Sequence, residues 1–325
     1  MKEKYAYSIG TLLNVKQVIE FSKSVDRNDR VHSIWTPESW GKESFSILGA
    51  ISQVTNRVKL GTSIINIYSR SPATIAMGSV TLDNLSEKRF ILGLGVSTPS
   101  LVEGLHGMKY EYPLTRIKEY VDIIRLLFKR GKIELIGKTV RVNGFELLEH
   151  SRENIPIYLA AVNSKMISLS VDSGDGFILY LKPLSEIEKI MSRIRTVTSS
   201  KSFTKAVAFI TSVSNKNPEQ ANKRASKTLA FYISVGKIYY KYLLGTIYSD
   251  SVKKIYSDYH KLGINEAIKN IKPDMLNDFV VSGTVNECEY KIKQIIKKGV
   301  DLPILQINPI KDVNGDLEYK DFKDL

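Results

Sequence analysis

Eight short apolar runs, most closed by glycine, serine, threonine or asparagine and alternating with segments of helical pattern, predict an α/β fold of the (β/α)8 TIM barrel type. Two details sharpen the prediction. Residues 60–65 and 89–94 are rich in Ile and Leu without polar alternation, the pattern of parallel strands covered on both faces. Between them a helix over about 73–85 is opened by Ser71 as N-cap and Pro72 in the first turn, so the order strand, helix, strand makes a βαβ unit. The competing architecture is a doubly wound open sheet, but no dinucleotide fingerprint follows the first strand.

In chain order the predicted strands are residues 5–9, 31–35, 58–65, 90–94, 157–160, 176–179, 205–212 and 302–307. Helical patterns fall at 15–24, 44–53, 73–85, 115–129, 165–173, 184–198 and 286–298. Two segments interrupt the alternation. Residues 132–142 hold two strand-like runs around Ile136-Gly137-Lys138-Thr139, a small hairpin, and residues 218–273 form a long helical insertion between strands seven and eight. The insertion carries Tyr232, Tyr239, Tyr240, Tyr242, Tyr248, Tyr256 and Tyr259, read first as amphipathic packing material and alternatively as a cover for an apolar or ring-bearing ligand. Residues 1–325 are read as a single domain.

Composition narrows the function classes. Hydrophobic residues are 43% and charged residues 25% of the 325, ordinary for a chain able to bury a large core. The net charge of +13 makes nucleic acid the first partner to consider. Lysines interleaved with glutamates, as in 186–195, and the absence of nucleic-acid signatures argue instead for a solvated basic surface that helps gather an anionic ligand. With no signal peptide and no run of about 18 apolar residues, the expectation is a cytoplasmic protein without a membrane anchor. The lone cysteine, Cys288, is expected at a surface or half-buried position and not as a reactive group, and no metal site is predicted.

Barrel enzymes carry their chemistry on the loops after the strands. Here these are Trp35-Thr36-Pro37-Glu38-Ser39-Trp40 after the second strand, Asn66-Ile67-Tyr68-Ser69-Arg70 after the third, Gly95-Val96-Ser97-Thr98-Pro99-Ser100 after the fourth and Ala161-Val162-Asn163-Ser164-Lys165 after the fifth. The last leads into a helix whose N–H groups, with Asn163, Ser164 and Lys165, suit a phosphate, although N-capping alone explains Asn163 or Ser164 equally well.

Glu38 between its tryptophans, LGTSIINIYSRSPATIA, LSEKRFILGLGVSTPSLVEGLHG, PLTRIKEYVDIIRLL, IPIYLAAVNSKM, VDSGDGF and the late GVDLPILQIN occur in the order found in the bacterial luciferase-like superfamily, which this sequence resembles over nearly its whole length. Its nearest resemblance is to members using the deazaflavin coenzyme F420, related to methylenetetrahydromethanopterin reductase. The resemblance implies a barrel with an insertion near the seventh strand, a homodimer or larger homo-oligomer, and a flavin-type ring bound at the carboxyl ends of the strands. It implies a cis peptide at Ser63-Ile64 behind that ring, cofactor contact at Gly95, Val96 and Ser97, and phosphate binding at Asn163, Ser164 and Lys165. Gly174-Asp175-Gly176 matches the family's turn into the sixth strand.

The departures bear on mechanism. Where some relatives have an acidic residue followed by histidine, this sequence has Glu38-Ser39, and the glutamate of the sugar-phosphate-oxidising relatives is replaced by Thr98. Glu38, Glu103 and His106 remain as titratable candidates, Glu38 and His106 being assigned as catalytic. For Glu38 the competing role is a carboxylate held by Arg70 or a helix terminus. Trp40, Tyr68 and Arg70 are assigned to the substrate pocket. The implied function is an F420-dependent oxidoreductase exchanging a hydride with a small organic substrate. The alternatives are an FMN-dependent luciferase-like monooxygenase and a non-catalytic flavin-binding barrel.

Overall fold

The computed structural model describes residues 3–129, 132–198 and 202–325. Parallel strands Tyr5–Ser8, Val31–Thr36, Lys59–Thr62 continued by Ile65–Asn66, Phe90–Gly95, Ile157–Ala161, Gly176–Tyr180, Thr204–Val213 and Leu302–Ile307 form the eight staves of a barrel surrounded by helices. Pairing of the sixth stave with the seventh closes the ring. Every predicted strand is present, with ends moved by a residue or two, but the third is broken between Thr62 and Ile65. The chain divides into two compact units, Ser8–Ile178 with Val197–Lys205, and Met1–Tyr7 with Leu179–Thr196 and Ala206–Leu325.

In the first unit the second strand pairs with the third from Ser33↔Lys59 to Thr36↔Thr62, and the fourth with the fifth from Leu92↔Ile157 to Leu94↔Leu159. Trp35, fully buried, stacks on Tyr158 with ring centroids 5.8 Å apart. That ring lies so close to the third strand that a Cβ on Gly61 would sit 2.3 Å from it, so the position must be glycine. Helices Val15–Val25, Ser44–Ser52, Pro72–Leu85 and Pro113–Phe128 follow in turn. The first starts with a reciprocal capping box between Asn14 and Gln17, and the third with Ser71 accepting from the Thr74 N–H. Asp175 accepts from Ile157 N at 2.8 Å and from Arg125 at 2.6 Å, which gives the turn into the sixth strand a structural role. The hairpin is larger than expected, Lys132–Ile136 with Arg141–Glu146. A short helix, Pro99–Gly104, occupies what read as loop.

In the second unit the insertion comprises helices Pro218–Val235, Lys237–Leu243, Ser249–Leu262, Ile264–Ala267 and Pro273–Phe279. It runs past residue 273 into an extra strand, Val280–Gly283, which continues the seventh strand's ladder from Ile210↔Val280 to Val213↔Gly283. Tyr180, Tyr232 and Tyr239 meet edge to face, with centroids 5.1 to 6.2 Å apart, against an apolar core built from Leu229, Ile233, Val252 and Phe279. Cys288 is 1% exposed, inside helix Val285–Lys297, which corrects the expected surface or half-buried position. Burial pushes its thiol up to about 12, so it is chemically quiet, as expected. Among the described residues no helix is long and apolar enough to cross a membrane, and no group of His, Cys, Asp or Glu is placed to hold a metal ion.

Candidate functional site

The site is built where the second, third, fourth and fifth strands of the first unit end. Thr36 closes the second strand and Asn66 the third, 1% and 3% exposed. Thr36 Oγ1 and Asn66 Nδ2 are buried with no hydrogen-bond partner among the described residues. Such atoms are costly to leave unmatched, and a bound water, ion or ligand is one way in which they are satisfied. Between Thr62 and Ile65 the chain leaves the ladder, and the Ser63-Ile64 peptide is cis, at the bond the resemblance implies. Ser63 and Ile64 are half-buried while Thr62 and Ile65 are wholly buried, so the bulge is the part of this strand that reaches the open end. Ser63 N donates to Thr36 O at 2.9 Å, which ties the bulge to the second strand.

Gly95, paired with Asn66, closes the fourth strand. A Cβ there would lie 2.7 Å from Ile64 Cδ1 and 3.1 Å from Ala160 Cβ, so glycine lets three strand ends converge. Val96 and Ser97 follow half-buried, Ser97 with φ of +57°, before the chain enters the short helix at Pro99. Thus Ser63, Ile64, Gly95, Val96 and Ser97 are brought together. The geometry also brings in Thr36 and Asn66. Both stood in the predicted loops but were assigned nothing there; the signal was a polar side chain as the last residue of a buried strand.

After the fifth strand, Asn163, Ser164 and Lys165 are exposed at the start of helix Ser164–Ser173. Asn163 Oδ1 accepts from Met166 N at 3.0 Å, so its side chain is occupied as the N-cap. What remains for an anion is the positive end of the helix with the Ser164 and Lys165 N–H groups, which have no partner inside the helix, and the Lys165 ammonium.

Arg70 Nη1 donates to Glu38 Oε2, and Nη2 donates both to Glu38 Oε1 at 2.7 Å and to Glu43 Oε1 at 2.6 Å. With both oxygens held by one guanidinium, Glu38 takes the competing role, a carboxylate held by Arg70. The Glu38 hydrogen bond holds Arg70 more firmly protonated, against the opposing effect of burial. Burial would raise Glu43, but hydrogen bonds from Ser46 and Phe45 N–H groups and the nearby Arg70 charge bring it below the usual carboxylate value. Arg70 accordingly braces the loops after the second and third strands.

Tyr68 is packed into the loops after the third and fourth strands. It is 5% exposed, its hydroxyl donates to Glu111 O at 2.9 Å and its ring stacks on Tyr110, with the Arg116 guanidinium 4.8 Å from its centroid. Burial, helped by Tyr110, pushes its hydroxyl up to about 12. Trp40 is 60% exposed. His106 is exposed just beyond the short helix, and Glu103 accepts from Tyr110 N at 3.4 Å. Among the described residues no hydrogen bond or ion pair ties either residue to the convergent strand ends.

In eight-stranded barrels of this kind ligands bind at the carboxyl ends of the strands, where this chain gathers small residues and unmatched polar atoms. The chain belongs to the luciferase-like monooxygenase family, whose model matches residues 30–302. It is 37% identical over 159 residues to a Mycobacterium tuberculosis protein named as a coenzyme F420-dependent oxidoreductase, a match covering 45% of this chain and 46% of the other. It is 26% identical over 274 residues to the 5,10-methylenetetrahydromethanopterin reductase of Archaeoglobus fulgidus, covering 82% of each. In fold it is similar to the coenzyme F420 dependent tetrahydromethanopterin reductase of Methanopyrus kandleri, with a TM-score of 0.81, 19% identity and coverage of 94% of this chain and 93% of that one.

Proposed function

We propose that this protein is a cytoplasmic oxidoreductase that binds coenzyme F420 at the ends of its second to fifth strands and exchanges a hydride with a small organic substrate. The observation that carries the reading is the pair of unmatched buried atoms, Thr36 Oγ1 and Asn66 Nδ2, flanking the Ser63-Ile64 bulge. They give a flat, polar-edged ring an acceptor, a donor and a backbone ledge. Relatives whose names specify coenzyme F420 support the deazaflavin over FMN.

When bound, the deazaflavin supplies two-electron exchange without oxygen activation. The chain does the rest. Ser63 and Ile64 back the ring, Gly95 and Val96 allow main chain to approach its edge, and Ser97 turns the loop away in a left-handed conformation. The Ser164 and Lys165 N–H groups and the Lys165 ammonium receive the anionic side chain. Arg70, Glu38 and Glu43 hold the neighbouring loops at fixed separation, because a displaced strand end would misorient the ring. A homodimer or larger assembly is part of the same proposal, and sedimentation velocity tests it separately.

The family's description as luciferase-like monooxygenase supports FMN-dependent oxygenation as the second reading. Titration of the purified chain with F420 and with FMN separates the two. The expected result is saturable micromolar F420 binding, weaker FMN binding, and turnover of reduced or oxidised F420 with an organic partner. Tighter FMN binding favours the oxygenase, binding without turnover across candidate substrates favours a non-catalytic barrel, and no binding to either overturns the cofactor assignment.

A further inference from the structure

Lys182 lies two residues beyond the sixth strand, in the second unit, and sequence reasoning passed over it. The residue is 3% exposed. Its ammonium sits 3.2 Å from the centroid of the Tyr242 ring, on insertion helix Lys237–Leu243. An aromatic face attracts a cation but accepts none of its three N–H bonds in the way a carboxylate or carbonyl does. Among the described residues no oxygen is recorded as accepting a hydrogen bond from Lys182. The carboxylate that would serve, Glu186, takes the Tyr242 hydroxyl instead. Leu181, which precedes it, adopts φ of +52° and is buried in the core shared with the insertion, so the backbone pins the lysine in place.

An ammonium this deeply set, with an aromatic face on one side and no oxygen accepting from it, keeps only a narrow opening, and such groups are retained chiefly where a ligand completes them. Loops at the carboxyl ends of barrel strands are also where ligands bind. We infer that Lys182 is the charged anchor of a ligand subsite at the carboxyl end of the sixth strand, one that takes an oxyanion, carboxylate or phosphate, of an organic substrate. The oxyanion accepts from the Lys182 ammonium, and the Tyr242 ring, fixed by its hydroxyl bond to Glu186, backs the cation on the other side. Burial already lowers the Lys182 ammonium to about 8, with the Glu186 charge opposing, so the site holds a cation that an anion stabilises further.

The inference stands apart from the cofactor reading, because its probes carry no redox group. Calorimetric titration of the full chain at pH 7 with succinate and, separately, inorganic phosphate should show one saturable site for at least one probe, and the preferred probe distinguishes a carboxylate from a phosphate substrate. Lys182→Met should weaken that binding at least tenfold while leaving F420 affinity within twofold, and Lys182→Arg should retain part of it. The apo Met variant should unfold at the same temperature as the wild type or higher, while the thermal stabilisation given by the probe should vanish. Binding of neither probe overturns the inference. So does unchanged binding in Lys182→Met, or a Met variant that is destabilised yet still stabilised by the probe, since that pattern belongs to a purely structural lysine. Absence of F420 binding with intact succinate or phosphate binding would sink the cofactor assignment alone.

Discussion

At the scale of single residues, Arg70 does the most, because one guanidinium satisfies Glu38 and Glu43 together. Arg70→Met leaves two carboxylates unpaired, Glu38 with a side chain only 15% exposed. The expected loss, reduced for the solvent that still reaches the pair, is about 2 kcal/mol in urea unfolding. Glu38→Gln retains an acceptor for Arg70 and removes only the charge, so an anchoring role predicts less than about 1 kcal/mol of destabilisation. It also predicts turnover within a few-fold of wild type; a loss of several hundred-fold in turnover with normal stability would restore Glu38 as the proton donor. Lys182 gives a pH-dependent prediction. Burial lowers its folded-state value to about 8 from 10.5, so below pH 8 both folded and unfolded chains carry the proton and the fold bears the whole cost of the buried charge. Between about 8 and 10.5 the unfolded chain binds the proton and the folded chain does not, so this residue's contribution to stability rises with pH across that window. The full change is on the order of 3 kcal/mol. The stability advantage of Lys182→Met over wild type should therefore shrink between pH 7 and pH 9.5, and a constant difference would contradict the lowered value.

At the scale of elements, two glycines of the fourth strand separate folding from binding. A Cβ on Gly93 would lie 1.8 Å from the carbonyl oxygen of Thr62, whose hydroxyl also donates to Gly93 O at 2.9 Å. Backbone cannot yield there, and Gly93→Ala is expected to cost 3 kcal/mol or more, about the upper end for overpacking, or to prevent folding. At Gly95 the nearest atoms belong to the end of the Ile64 side chain, which can turn aside. Gly95→Ala should therefore cost only about 1 kcal/mol. The displaced Ile64 enters the proposed ring position, so F420 affinity should fall at least tenfold, and an unchanged affinity in a folded variant would remove Gly95 from the site. The same strands show what was legible in advance. Short apolar runs, most bounded by small polar residues, marked all eight staves, because a parallel sheet covered on both faces leaves that trace whatever lies around it. Pro99–Gly104, Val280–Gly283 and the C-terminal pair Ile310–Lys311 with Leu317–Glu318 left none. They are too short for a period, and Val280–Gly283 is a strand only because the long seventh strand offers it an edge.

At the scale of the whole molecule, the loops after the strands are legible in the sequence, whereas the partners of their polar groups are not. Spacing left Glu38 open between proton transfer and an ion pair with Arg70 and said nothing of the Glu111 carbonyl that takes the Tyr68 hydroxyl. Thr36 and Asn66 looked ordinary because an unmatched atom is visible only once its surroundings are fixed. The charge balance, 47 Lys and Arg against 34 Asp and Glu, is in contrast read directly and has a consequence for binding. A net charge of +13 draws anions inward over distances comparable to the Debye length, roughly 10 Å at 0.1 M salt and 3 Å at 1 M. F420 carries its charge on the phosphate and glutamates of its side chain, which the proposal assigns to the helix start at Ser164 and Lys165. Raising KCl from 50 to 500 mM should therefore lower F420 affinity several-fold, mainly through slower association in stopped flow. The bare deazaflavin riboside, which lacks phosphate and glutamates, should bind weakly and with little salt dependence, since ring contacts with Ser63, Ile64 and Gly95 involve no ionic partner. Equal salt dependence for the two would mean that the side chain is not held by this cationic surface, and the assignment of Ser164 and Lys165 would fall while the ring site stood.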